Sequence, residues 1–403
     1  MGKTDIENGT NQKNDCQNKI KRVFLCANVK FPRGDAGANY IEYMALALRE
    51  IGYEVYVLAN IPGSTAAKDD TLLDYHGIHF VPVPYGKNRR TIALQYLTYG
   101  DRFVKVLKRN ALTEHDHIMF YSKNPFFIQR IRHYIKSVNC SESVCVVEWH
   151  QPFQYRLGRL DPEYLFFKTC FFRLYEKIGN VIAISRLLQQ QFQSKGCNVC
   201  RIPIMANTNE YPYARTPHEG IRFLLCGTTE AKDKLSAMFA SFGGLSDEEL
   251  NQIQIHIVGM KKSVFDKYMG ACKENVKKKI IFHSWMEYDE LIRLYRQMDF
   301  LLLAREDNIV TRANFPSKIP ETMNFGIVPV ASRVGDYAEE YLTEENAILI
   351  DGCGEEAVCR AVKKALHLSA EELRQYQNNA RHTVEAKFDY SNWVQVLNRF
   401  LEA

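Results

Sequence analysis

The sequence has no stretch of the ~20 consecutive apolar residues that a membrane-spanning helix needs. The nearest candidate, 164–175, is interrupted by Lys168 and Arg173. It has no Gly-x-Gly-x-x-Gly and no Gly-x-x-x-x-Gly-Lys-Ser/Thr, so neither a nicotinamide or flavin fingerprint nor a phosphate loop of that type is supported. It has little net charge: +5 over 403 residues is too mild to imply a nucleic-acid partner. Its 11 cysteines are odd in number and scattered. The one Cys-x-x-Cys, Cys197 to Cys200, has no second pair or histidine cluster beside it, which argues against zinc and against a redox motif. Scattered thiols suit a reducing cytosol. Residues 1–19 are polar and lack the apolar stretch of a signal peptide, so they read as a disordered tail.

What is present is an ordinary globular balance, with 46% apolar, 25% charged and 12% aromatic residues. At about 100–200 residues per domain, this length predicts two domains. Short apolar runs alternate with amphipathic segments. Strands are predicted at 22–28, 54–60, 79–84, 117–122, 144–149, 180–185 and 199–204, with helices at 39–51, 94–109, 125–137, 161–178 and 186–195. The pattern restarts with strands at 221–228, 252–259, 278–285, 299–305, 327–332 and 347–350, and ends in helices at 371–387 and 391–401. Strands separated by helices of this length predict parallel pairing with right-handed crossovers. The fold class is therefore α/β, two doubly wound Rossmann-like domains facing across a cleft. The expected divisions are a tail (1–19), an N-terminal Rossmann-like domain (20–206), a linker (207–220), a C-terminal Rossmann-like domain (221–385) and a closing helix (386–403).

The richest stretch for chemistry runs from Ala304 to Ser332. A buried strand ends, a polar loop follows, and a helix is expected to begin near Ser317. Free backbone N–H groups there, with Ser317 and Lys318, suit a phosphate. Glu321 lies three residues beyond Lys318, on the same expected face. A diphosphate on Ser317 and Lys318, with ribose hydroxyls on Glu321, is the chemistry of holding a nucleotide sugar. In the first half, Gly34, Gly37 and Ala38 precede a helix expected near Asn39, where small residues permit close approach of a ligand. Glu148 and His150 follow a predicted strand, where open sheets present ligand groups. Residues 86–136 hold eleven Lys or Arg against three Asp or Glu, a stripe that would attract anionic lipid. It lacks any recognised base-reading motif, so no nucleic-acid partner is expected.

Phe315-Pro-Ser-Lys-Ile-Pro-Glu321 followed by Gly326-Ile-Val-Pro-Val330 resembles the donor-site signature of GT-B glycosyltransferases. The most similar group is the family 4-like enzymes of bacterial capsule, exopolysaccharide and lipopolysaccharide synthesis. The resemblance spans about 21–400. Phe31-Pro-Arg-Gly-Asp-Ala-Gly-Ala-Asn39 is similar to the first glycine-rich loop of these enzymes. Val181–Ser185, Leu224–Gly227, Ile257–Gly259 and Phe388–Trp393 are similar to later landmarks.

The resemblance implies transfer of a sugar from a nucleotide-diphosphate donor to a hydroxyl of a lipid-linked glycan in surface polysaccharide synthesis, with retention of configuration. It places His150 facing the transferred sugar, with Glu148 as its assistant. Two features depart from the family pattern. The first of two glutamates is replaced by Ala313, with Asn314 as a neutral neighbour, and no Arg follows Gly227. Lys232, Lys234, Arg305 or Arg312 would then supply the phosphate charge. No Asp-x-Asp is present, so a metal-independent site without cofactor is expected. The implied place is the cytoplasm, extending to the inner face of the membrane. The rival expectations are a non-catalytic GT-B-like subunit and a sugar-nucleotide epimerase.

Overall fold

The computed structural model describes residues 22–32, 35–60, 72–83, 89–227, 230 and 232–403. The expected tail 1–19 lies outside these. The first half forms an eight-stranded sheet of β1 (Arg22–Lys30), β2 (Glu54–Asn60), β3 (Leu73–Tyr75), β4 (Ile78–Val83), β5 (His117–Tyr121), β6 (Ser141–Val146), β7 (Asn180–Ala183) and β8 (Asn198–Arg201). The second half forms a six-stranded sheet of β9 (Ile221–Cys226), β10 (Ile253–Val258), β11 (Ile280–Phe282), β12 (Phe300–Leu303), β13 (Val328–Ser332) and β14 (Ile348–Ile350). The spatial orders are β3-β4-β2-β1-β5-β6-β7-β8 and β11-β10-β9-β12-β13-β14. Each order reverses once, between β1 and β5 in the first sheet and between β9 and β12 in the second. Doubly wound sheets open a ligand crevice at the carboxyl ends of such strands.

All pairings are parallel except β3 with β4. Alternation on the central strands shows why. Val23, Leu25 and Ala27 of β1 enter one apolar layer, and Phe24 and Cys26 enter the other. In β9, Phe223 and Leu225 face one layer while Leu224 and Cys226 face the opposite one. Both faces of each sheet are therefore buried, as parallel sheets require.

The helix Ala36–Ile51 is closed at both ends by its own sequence. Asp35 caps it by accepting from the Gly37 and Ala38 N–H groups, and Gly52 ends it at φ +104°. The segment expected as one helix over 161–178 is instead Pro162–Thr169 and Tyr175–Ile178, joined by a π-turn at Cys170–Leu174.

The halves are tied by an ion cluster in which Arg186 and Arg201 meet Asp336, Glu339 and Glu340, and again where the chain returns. The Ala206 N–H donates to the Phe388 carbonyl, and the Tyr390 N–H donates back to the Ala206 carbonyl. Beyond this, helix Val394–Glu402 returns to the first half and buries Val394, Leu397 and Phe400 against the layer under Ala36–Ile51. Among the described residues no helix is long and apolar enough to cross a membrane.

Candidate active site

The two strand-order reversals face one another across a cavity of about 550 Å³, within the ~300–1,000 Å³ usual for small-molecule sites. From the first half it is lined by the ends of β1, β5 and β6, including Asp35, Gly37, Lys123, Glu148 and His150. From the second half come Lys232, Asp233, Arg305 and the loop Asn314–Lys318.

The second-half wall is organised by a buried carboxylate. Asp233 accepts from Arg305 Nε at 2.8 Å on one oxygen and from Lys318 Nζ at 2.9 Å on the other. Burial opposes its ionisation, but the Arg305 and Lys318 charges prevail and hold its carboxyl below the usual range. The Arg305 backbone N–H is fixed by Ser332 Oγ at 3.0 Å. Three loops separated by many residues in sequence thus meet in one ion network.

The opposite wall is looser. Glu148 Oε2 lies 3.2 Å from Lys232 Nζ, across the cleft, and Glu148 Oε1 lies 3.6 Å from Lys123 Nζ. Burial resists Glu148 ionisation, but the His150 ring, Lys123 and Lys232 hold its carboxyl well below the usual range. His150 is buried, with Nδ1 hydrogen-bonded to the Tyr155 hydroxyl at 2.6 Å. Its Nε2 sits 3.3 Å from Glu148 Oε2 but lacks hydrogen-bond alignment with any partner. Asn314 spans the cleft too: its Oδ1 accepts from the Trp149 N–H at 2.8 Å, while its Nδ2 is buried without a partner. Two buried, unsatisfied nitrogens on residues lining one cavity are what a polar ligand would satisfy.

Several sequence expectations shift here. Ser317 does not cap a helix. It lies in the right-handed helical region with no side-chain capping bond, and the helix that follows, Lys318–Met323, is six residues long. Glu321 faces away from the large cavity into a small adjoining recess bounded also by Ser317, Asn39, Tyr43, Tyr288 and Asn324. Tyr295 Oη donates to Glu321 at 3.2 Å, and burial pushes its carboxyl up to about 7.

Lys234 and Arg312 are absent from the cavity lining. Each is drawn to a neighbouring acid, Lys234 to Glu306 at 2.9 Å and the exposed Arg312 to Asp307. Gly227 is also off the lining. A Cβ there would meet Leu235 Cδ2 at 2.6 Å, so its role is close packing. Ala38 is fully buried in the core. The helix end at Gly37 and Ala38 is a poor phosphate site, because the Asp35 carboxylate already occupies their N–H groups. Gly34 lies outside the described residues. Ala313 is buried, and its carbonyl accepts from Ser185 Oγ at 2.7 Å. Sequence reasoning missed Asp35, Lys123, Tyr155 and Asp233; the only signal for Asp233 was its place between two lysines already under suspicion.

Residues 214–383 match the family described as Glycosyl transferases group 1. The whole chain is similar in fold to sucrose-phosphate synthase from Thermosynechococcus elongatus, with TM-score 0.69, 15% identity, and 95% of this chain and 98% of that chain covered. It is similar also to WaaG, a glycosyltransferase involved in lipopolysaccharide biosynthesis (TM-score 0.66, 14% identity, 94% and 100% covered). HepE from Anabaena, solved with UDP and glucose, matches with TM-score 0.66, 15% identity, and 95% and 99% covered. The family match falls within the second half of the chain, and the chain as a whole has the GT-B fold of these glycosyltransferases. No curated protein sequence matches it. The matched half is the one that carries Asp233, Arg305 and Lys318.

Proposed function

We propose that this glycosyltransferase moves a sugar from a nucleotide-diphosphate sugar to a hydroxyl of a lipid-linked glycan, of the kind built into surface polysaccharide. The observation that carries this reading is the Lys232–Arg305–Lys318 group, with Asp233, set across one cavity from Glu148 and His150. The diphosphate lies against Lys232, Lys318 and the Ser317 hydroxyl, with Arg305 behind them. The ribose reaches the recess where Glu321 accepts its hydroxyls. Asn314 Nδ2, without a partner, and His150 Nε2, which faces the Glu148 carboxylate without an aligned hydrogen bond, then bond hydroxyls of the sugar. Asp35 and Gly37 border the acceptor's approach, while Asn39 borders the ribose recess.

In the reaction the acceptor oxygen forms a bond to the anomeric carbon, the bond from that carbon to the β-phosphate oxygen breaks, and the hydroxyl proton passes to the departing diphosphate. Negative charge develops on the departing diphosphate, where fixed cations are most effective. Attack from the face the diphosphate leaves would retain configuration. The protein's own cations balance the diphosphate in this scheme, without a metal.

A thermal-shift screen of UDP, GDP, ADP, CDP and dTDP sugars tests the reading, because a ligand selective for the native state raises the midpoint. One or more should do so. Lys318→Ala should then lower kcat/KM by about 30- to 1,000-fold, the equivalent of ~2–4 kcal/mol. If no nucleotide sugar shifts the midpoint, the proposal fails.

A second reading, a non-catalytic binding subunit, draws on the buried Ala313 and on the neutralisation of two cations by Asp233. Ligand binding without hydrolysis or transfer would favour it.

A further inference from the structure

The largest exposed apolar side chains of the first half are grouped beside the cleft. Phe153 is 63% exposed, Leu157 60% and Leu160 78%. Phe126, Leu165 and Phe172 are also exposed. They belong to elements packed on one another: the turns Pro152–Gln154 and Gly158–Leu160, the helices Pro125–Ser137 and Pro162–Thr169, and the π-turn. Ring contacts join the patch to the site. Phe126 meets Phe166 at 5.6 Å, and Phe172 meets Trp149 at 6.0 Å, next to His150. Phe167, in the same helix as Leu165, lines the cavity itself. An exposed cluster of this kind, rimmed by charge, marks an interaction surface.

The charge identifies the partner. Arg156, Arg159, Lys168 and Arg173 are interleaved with these side chains and outnumber Asp161 and Glu163, and among the described residues none of the four cations forms an ion pair. The basic stripe read from 86–136 behaves differently. Arg130 pairs with Asp101, Arg132 with Glu142 and Lys123 with Glu148, and Lys108 lies over the Tyr134 ring. Several of its charges are thus engaged within the fold, and Lys87 lies outside the described residues. Apolar groups that enter acyl chains, with uncompensated cations at headgroup level, fit an anionic bilayer surface.

We propose that the 153–172 segment docks this glycosyltransferase on an anionic lipid surface and holds the mouth of its cavity there. The proposal deepens the reading of a lipid-linked acceptor and rests on it for its purpose. The contact itself is tested without any sugar.

The test is co-sedimentation of the full chain with vesicles of phosphatidylcholine, and of phosphatidylcholine mixed with phosphatidylglycerol. The chain should bind the mixed vesicles and release them as salt rises. Leu157→Ser with Leu160→Ser should weaken binding about tenfold or more, equivalent to ~1.4 kcal/mol or above. Arg156→Glu with Arg159→Glu should remove the preference for the anionic vesicles. These side chains are exposed, so the melting midpoint and its shift by a nucleotide sugar should be unchanged in both variants. A donor shift without vesicle binding overturns the docking proposal and leaves the transferase reading standing; vesicle binding without a donor shift does the reverse. Equal vesicle binding by wild type and both variants overturns the proposal. So does a concentration-dependent dimer that the Leu157→Ser, Leu160→Ser variant abolishes, because the patch would then be covered by a second copy.

Discussion

On the second-half wall of the cavity the charges close to the ligand space are held by buried partners. Asp233 and Arg305 are nearly inaccessible, and Lys318 completes their network. On the first-half wall Glu148 and Lys123 are partly exposed, His150 Nε2 is buried without an aligned hydrogen bond, and the neighbouring segment carries exposed Phe and Leu. The difference separates two tasks. A group that recurs in every donor, the diphosphate, is met by a fixed constellation whose reorganisation has already been met by folding. The parts that vary, the transferred sugar and its acceptor, are met by groups still open to new bonds.

The contrast breaks most clearly at Asp233. Asp233→Asn would leave Arg305 as a buried cation without its counter-charge, an arrangement that costs about 3–5 kcal/mol. Chemical denaturation of the full chain should show that loss. The corresponding change on the other wall, His150→Gln, should cost far less. Equal losses would mean that the two walls are built alike.

Glu321 sharpens the comparison through pH. Its folded carboxyl titrates near 7, above the ordinary value of 4.5, because burial disfavours its charge. Between those values the folded chain holds a proton that the unfolded chain has lost. Stability is therefore full below 4.5 and falls as pH rises through about 7. Glu321→Gln should remove that fall and melt at a higher temperature than wild type at pH 8, by on the order of 2 kcal/mol, with little difference at pH 4.5. Donor affinity should move the other way. In wild type it should weaken below pH 7 as the carboxylate protonates, and in Glu321→Gln it should be weak at all pH. A flat wild-type profile would exclude Glu321 from the donor site.

What could be read in the sequence follows from the same physics. The helix at 125–137 was legible to the residue because Asn124 and Pro125 mark its start and its apolar spacing is regular. Strands β2 and β9 stood out because parallel strands buried on both faces are continuous apolar runs. Strand β3 was missed: it has three residues, largely exposed, paired antiparallel through a His76–Gly77 turn in which both residues have positive φ. The π-turn at Cys170–Leu174 was missed because its residues satisfy helical spacing as well as its neighbours do. At the site, Ser317, Lys318, Asn314, Arg305, Lys232, Glu148, Gly37 and His150 were legible as cavity-lining residues. Lys234 and Arg312 were not separable from Lys232 and Arg305 by composition. Only the fold shows which charge has a private acid, Glu306 or Asp307, and which faces the cavity. Asp233 was hidden because a buried acid is recognised by its partners, and these come from segments 72 and 85 residues away.

The smallest effect concerns an ion pair that joins the two walls, Glu148 to Lys232. Both groups are partly exposed, so the bridge itself contributes at most about 1 kcal/mol, and Glu148→Gln should leave the melting midpoint within a degree or two of wild type. Its consequence for binding is more informative. A diphosphate must draw Lys232 away from the Glu148 carboxylate, so neutralising that carboxylate should tighten nucleotide-sugar binding about two- to fivefold, the range of 0.4–1 kcal/mol. Because Glu148 stays ionised well below the ordinary range, the gain should be the same at pH 6 and pH 8, unlike the Glu321 profile. In a Lys232→Met background the gain should vanish, since no cation is left to release. A gain that survives Lys232→Met would place the effect of Glu148 on Lys123 or His150 instead. A loss of affinity in Glu148→Gln would mean that the carboxylate orders Lys232 for the diphosphate rather than competing with it.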